Sequence, residues 1–211
     1  RLLSGNQKLK EVPHCDTLNY YLELLSPDCL SELRKKMVTS LIRGKQFYSN
    51  RLLGKYWRVI LDGTGVACFE ERHCDNCLYE KRTYKDGRKV TVYYHKVLEA
   101  KLILGDKIVV SLGTEFIENE RSDVSKQDCE TKAAKRLLER IKKEYPRLPI
   151  CIQGDAMYAT EPMMEICRLN GWKYIFSHKE AQQRVLADNY NLLSLEDGKQ
   201  KVQGIGAEKG T

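Results

Sequence analysis

Two aspartates and one short cysteine–histidine run carry the chemistry this sequence offers. Asp62 closes an apolar run that begins at Tyr56, and Asp155 closes a second that begins at Ile150. Taken singly, an Asp behind a short strand is a turn or capping residue. Brought together, two carboxylates repel unless a cation sits between them. Such oxygen donors suit Mg²⁺ or Mn²⁺, and a pair of these ions activates a hydroxyl and stabilises a departing phosphodiester oxygen. Gly63 and Gly154 flank the two acids and would let a phosphate backbone come close.

The second constellation is His73-Cys74-Asp75-Asn76-Cys77, with Cys68 before it and His95 beyond. Cys-x-x-Cys with nearby histidines is ligand spacing for tetrahedral Zn²⁺. The expected ligands are His73, Cys74, Cys77 and His95, with Cys68 as the substitute should the adjacent His73 fail to reach. A redox pair is disfavoured, because the motif does not open a helix after a strand. The eight cysteines include Cys129 and Cys151 inside helical or apolar patterns. That usage reads as reduced thiols of a cytoplasmic protein, not a secreted disulfide framework.

Lys and Arg number 36 against 29 Asp and Glu, a net charge of +7, which suits a polyanionic partner. Lys81, Arg82, Lys85, Arg88 and Lys89 interleave with Tyr79, Tyr84, Tyr93 and Tyr94. The mix reads either as a surface for phosphates and exposed bases or as a strand pair with aromatic cross-strand packing. Lys126 is a further candidate DNA contact. Glu118, Glu120, Asp128 and Glu130 read as ion-pairing groups around the acids. No apolar run is long enough to span a membrane.

These residues need a scaffold. Apolar spacing over residues 17–53 is helical, with Ser26-Pro27-Asp28 as a helix start and Gly44 as a stop. Residues 56–61 read as a buried strand ending in a loop at Asp62-Gly63-Thr64-Gly65. Asp86-Gly87 reads as a turn, residues 90–104 and 107–117 as strands, and 128–145 as a helix with Ser125 and Asp128 as its capping pair. A strand at 150–153, a helix after Thr160 and a strand at 172–176 follow. Three strands and then alternating helix and strand is the order of an RNase H-like α/β fold, a mixed sheet flanked by helices. That order would lay the first and fourth strands side by side and bring Asp62 to Asp155. The expected organisation is a helical segment at 1–53, a core at 54–180, and the start of an insertion or incomplete region at 181–211.

Three blocks carry a more specific likeness: Val59-Ile60-Leu61-Asp62-Gly63-Thr64, then Lys126-Gln127-Asp128-Cys129-Glu130, then Ile150 through Gly154-Asp155-Ala156-Met157-Tyr158-Ala159. With Gly171-Trp172-Lys173-Tyr174-Ile175 they resemble insertion-sequence transposases of the DDE class, over roughly residues 12–180. The resemblance implies metal-dependent cleavage at element ends and strand transfer to target DNA. Asp62 and Asp155 would be the first two acids, holding Mg²⁺ or Mn²⁺. It further implies double-stranded DNA as partner, a homodimer in the synaptic complex and a bacterial cytoplasmic setting. The third acid of such enzymes is a Glu on a later helix. Glu180 is the nearby candidate, and the expectation is that the chain stops before the true one. The alternatives are a non-catalytic DNA-binding remnant and another RNase H-like nuclease.

Overall fold

The computed structural model describes residues 13–177, a mixed α/β arrangement with four helices and six strands among them. The lead is two helices, α1 (Cys15–Leu24) and α2 (Pro27–Arg43). Ser26 caps α2 by accepting from the Asp28 amide at 3.2 Å, with Pro27 in the first turn and Gly44 at the end. α2 packs beside the sheet and contributes Val38 to the core.

The strands are β1 (Trp57–Phe69), β2 (Leu78–Thr83), β3 (Lys89–Gly105), β4 (Ile108–Ile117), β5 (Ile150–Gly154) and β6 (Lys173–Phe176). β1 lies between β3, its antiparallel partner, and β5, its parallel partner; β6 continues the parallel side. On its other edge β3 carries two strands end to end. β2 pairs residues 89–94 of β3, and β4 pairs residues 96–105.

One face of the sheet is a continuous apolar surface. Trp57, Val59 and Leu61 of β1 alternate inward with Leu98, Ala100, Leu102 and Leu104 of β3. α3 (Glu130–Glu144) lays its stripe of Ala133, Ala134, Leu137, Leu138 and Ile141 across it. Burying such a stripe is what holds an amphipathic helix to a sheet. The fit is close at Gly113 of β4, where an added Cβ would lie 2.9 Å from Leu137 Cδ1. α4 (Glu161–Leu169) packs against β6 and α3 and buries Met163 and Cys167.

Two local expectations are corrected. The first strand does not stop at Asp62; β1 runs on through Gly65 to Phe69, because β3 is long enough to pair with it beyond the turn-like glycines. The irregularity falls at Val66, where the register shifts between Gly65 and Ala67. Ser125 and Asp128 do not cap α3. Its N-cap is Cys129, without a side-chain cap bond, and the Asp128 carboxylate is instead taken by Arg136 at 2.7 Å.

Candidate functional site

Register brings the two aspartates level. β1 and β5 run parallel with Ile60 opposite Gln153, so Asp62 and Asp155 each stand two residues further along neighbouring strands. The β1–β5 pairing ends at Ile60 and Gln153, and Asp155 keeps extended backbone angles just beyond β5. Both residues are exposed. Among the described residues the Asp62 side chain makes no hydrogen bond or ion pair. Asp155 does act as a cap: its Oδ1 accepts from the Met157 amide at 3.0 Å and starts the 3-10 turn Ala156–Tyr158. Glu99, opposite Asp62 on β3, adds a carboxylate on the same face and accepts from Thr114 Oγ1 at 2.9 Å.

A third acid reaches this edge from α3. Gly63 is the reason: an added Cβ there would lie 2.4 Å from Glu130 Cδ, so only glycine leaves room for that carboxylate over β1. Glu130 Oε1 accepts from Lys96 Nζ at 2.5 Å, and Oε2 accepts from the Tyr158 hydroxyl at 3.3 Å. Lys96 faces Gly65 across the β1–β3 ladder, two positions along from Gly63. Glu130 stands in the first turn of α3, where the helix dipole favours a negative charge. Burial pushes the Tyr158 phenol well above its ordinary value, and the carboxylates of Glu130, Asp155 and Asp62 add to the shift. Tyr158 thus lies within electrostatic reach of all three acids. The three do not gather as a trio within 4.8 Å: Glu130 lies over Gly63, and alternation along β1 turns Asp62 to the other face.

The other proposed residues divide. Glu180 lies outside the described residues. Lys81, Arg82, Lys85, Arg88 and Lys89 are all exposed around the β2–β3 hairpin, whose turn carries Gly87 at φ 85°. Arg82 pairs with Glu80, and Arg88 with Asp86. Tyr79 and Tyr93 pack across the strands at 6.4 Å, with the Arg72 guanidinium 4.9 Å from the Tyr93 ring, so the aromatic cross-strand packing is present. Lys126 is exposed and lines a cleft with Glu115 and Arg136. The lysine that touches a carboxylate of the acid edge is Lys96, which the sequence reading did not single out.

The cysteine–histidine run forms a second cluster. Cys74 Sγ and Cys77 Sγ are 3.6 Å apart, and each is 3.4 Å from His95 Nε2. His73 is not in this group; its ring stacks on Phe69 at 4.6 Å. The substitute fares no better. Cys68 pairs with Tyr94, the neighbour of His95, so strand alternation turns Cys68 to the opposite face.

The chain matches no known protein-family model, no curated protein and no solved structure. Among the described residues no helix is long and apolar enough to cross a membrane.

Proposed function

We propose that this chain is the catalytic core of a DNA transposase of the DDE class, with an RNase H-like sheet and Asp62 and Asp155 as its metal-holding acids. The observation that carries the reading is the common level of the two aspartates on neighbouring parallel strands. The strand order β4-β3-β1-β5-β6, antiparallel on one side of β1 and parallel on the other, fits that fold. Ligands of open α/β sheets bind beyond the carboxyl ends of strands; Asp155 stands just past the end of β5, and Asp62 lies within β1 where its pairing with β5 has ended.

The donor set suits a hard divalent cation, because the groups at this edge are carboxylates and a phenol without thiol or imidazole. Mg²⁺ or Mn²⁺ held by Asp62 and Asp155 would activate a water or 3′-hydroxyl and offset charge on the leaving oxygen. Lys96 and Tyr158 fix Glu130 over Gly63 on the α3 face, the face opposite to that of Asp62 by strand alternation. Lys81, Arg82, Lys85, Arg88 and Lys89 offer cations to the phosphates of double-stranded DNA, in keeping with the net charge of +7. In this reading the protein works on DNA in the bacterial cytoplasm, as a homodimer when two element ends are paired.

The test is cleavage of labelled element-end DNA by the full-length product, with Mg²⁺ and with chelator. Asp62→Asn and Asp155→Asn should each abolish cleavage and leave DNA binding intact. Wild-type cleavage by either variant would reject the assignment. Glu130 favours a second reading, another RNase H-like nuclease that draws its third acid from α3 rather than from a later helix. Glu130→Gln separates the two: loss of cleavage with binding retained supports the nuclease, and unimpaired cleavage supports a downstream acid.

A further inference from the structure

We infer that Cys74, Cys77 and His95 form a Zn²⁺ site that fastens the sheet where β2 and β4 meet along β3. The inference is independent of the catalytic reading. It rests on three donor atoms that already stand at ligand spacing, with mutual distances of 3.4, 3.4 and 3.6 Å. Bonds of about 2.3 Å to sulfur and 2.0–2.1 Å to nitrogen put tetrahedral ligands on one zinc roughly 3.3–3.8 Å apart. All three distances fall in that range, and 3.6 Å between sulfurs is far beyond a disulfide bond of about 2.05 Å.

The backbone is shaped for the ion as well. Cys74 donates its amide to Cys77 Sγ at 3.4 Å, and the Cys77 amide returns to the Cys74 carbonyl at 3.4 Å. Amide donation to sulfur stabilises a thiolate, the form that binds metal. Cys77 is fully buried, so its thiol is withheld from solvent. Among the described residues the other grouping of potential ligands, His14, Cys15 and Asp16, is exposed and made of consecutive residues, and lacks this support.

The location gives the ion a mechanical task. Tyr94 of β3 pairs with Leu78 of β2, and Lys96 of β3 pairs with Ile117 of β4. His95 stands between them, at the gap where one edge partner ends and the other begins. Asn76 and Asn119 already tie the gap. The Asn119 amide donates to the Asn76 carbonyl at 3.0 Å, and Asn76 Nδ2 to the Asn119 carbonyl at 2.8 Å. Buried Asn119 also donates Nδ2 to the Cys77 carbonyl at 2.9 Å. Zinc would add a bond between the 74–77 turn and β3 at His95. The next residue, Lys96, holds Glu130 at the acid edge.

Among the described residues three protein ligands make the set, and His73 is not one of them. The test is metal analysis of the full chain purified without chelator and after reconstitution with Zn²⁺ or Co²⁺. The expected result is about one equivalent per chain, with the visible d–d bands of a tetrahedral thiolate site in the cobalt form. Cys74→Ser, Cys77→Ser and His95→Ala should each lose the metal; His73→Ala, Cys68→Ser and the Asp62→Asn, Asp155→Asn double variant should keep it. Should a ligand variant fail to fold, the wild-type cobalt spectrum and a fall in melting temperature on chelation still decide the matter. Absence of metal uptake by the wild-type chain, an octahedral cobalt spectrum, retention by Cys77→Ser, or a Cys74–Cys77 disulfide in the purified protein would each overturn it. Loss of metal in His73→Ala would overturn the three-ligand set.

Discussion

Gly63→Ala is a one-carbon test of the acid edge. Gly63 is not among the glycines with positive φ, so its backbone admits alanine, and the nearest obstacle is Glu130. The new Cβ would lie 2.4 Å from Cδ and 2.5 and 2.6 Å from the carboxylate oxygens. Non-bonded carbons settle at about 3.5–4.0 Å, so the carboxyl group must retreat by about 1 Å or more. The retreat breaks the 2.5 Å contact to Lys96 and the 3.3 Å contact to Tyr158. The Lys96 side chain is 32% exposed and that of Glu130 17%, so the pair lies between a surface ion pair and a buried charged bond. A loss of about 1–2 kcal/mol follows. For a chain of this size that is roughly 2–8 °C in melting temperature. The assay is urea unfolding of Gly63→Ala, Glu130→Ala and the double variant. In the Glu130→Ala background the added methyl should cost almost nothing, giving a coupling of about 1 kcal/mol or more. Additivity of the two single effects within about 0.5 kcal/mol would refute the claim that Gly63 exists to seat Glu130.

Other expectations follow from the same contacts. Gly113→Ala should destabilise the fold by about 1–3 kcal/mol through overpacking against Leu137, read by denaturant unfolding. Burial pushes the Asp128 carboxyl up, but hydrogen bonds from Arg136 and from backbone amides outweigh it and hold its pKa below the ordinary value. Asp128 therefore stabilises the fold above the usual carboxylate range, and the contribution is lost as pH falls through its lowered pKa. Arg136→Ala should flatten that acid dependence in stability curves taken from pH 7 to 3. Burial raises the phenols of Tyr158 and Tyr145, the latter to about 12, so the folded chain keeps protons that unfolded tyrosines release near pH 10. Stability should then fall as pH rises above about 10. Ultraviolet titration should show Tyr145 and Tyr158 ionising only on unfolding.

Much of the scaffold is legible because its signals are local. The α3 stripe, the Ser26 cap, the Asp86-Gly87 hairpin and the short apolar runs of β5 and β6 each depend on neighbours in sequence. The extent of β1 past Asp62 is not local. Asp62-Gly63-Thr64-Gly65 has the composition of a loop and becomes strand only because residues 96–99 of β3 supply its partners. The same reason hides Lys96, which enters the acid edge through antiparallel register with Gly65. Tyr158 and Glu130 sit inside the two sequence blocks already singled out, yet their contact spans 28 residues and needs α3 folded over the sheet. Among the metal candidates, spacing favoured His73 beside Cys74, whereas strand alternation decides for His95 and against Cys68.

The most direct test of the central claim is Mn²⁺ binding to the full chain, followed by electron paramagnetic resonance, for wild type, Asp62→Asn, Asp155→Asn and Cys77→Ser. A shared site predicts that either aspartate variant weakens Mn²⁺ binding by tenfold or more and that Cys77→Ser leaves it unchanged. Equal affinity in wild type and both aspartate variants would mean that Asp62 and Asp155, though level on adjacent strands, do not hold a common ion.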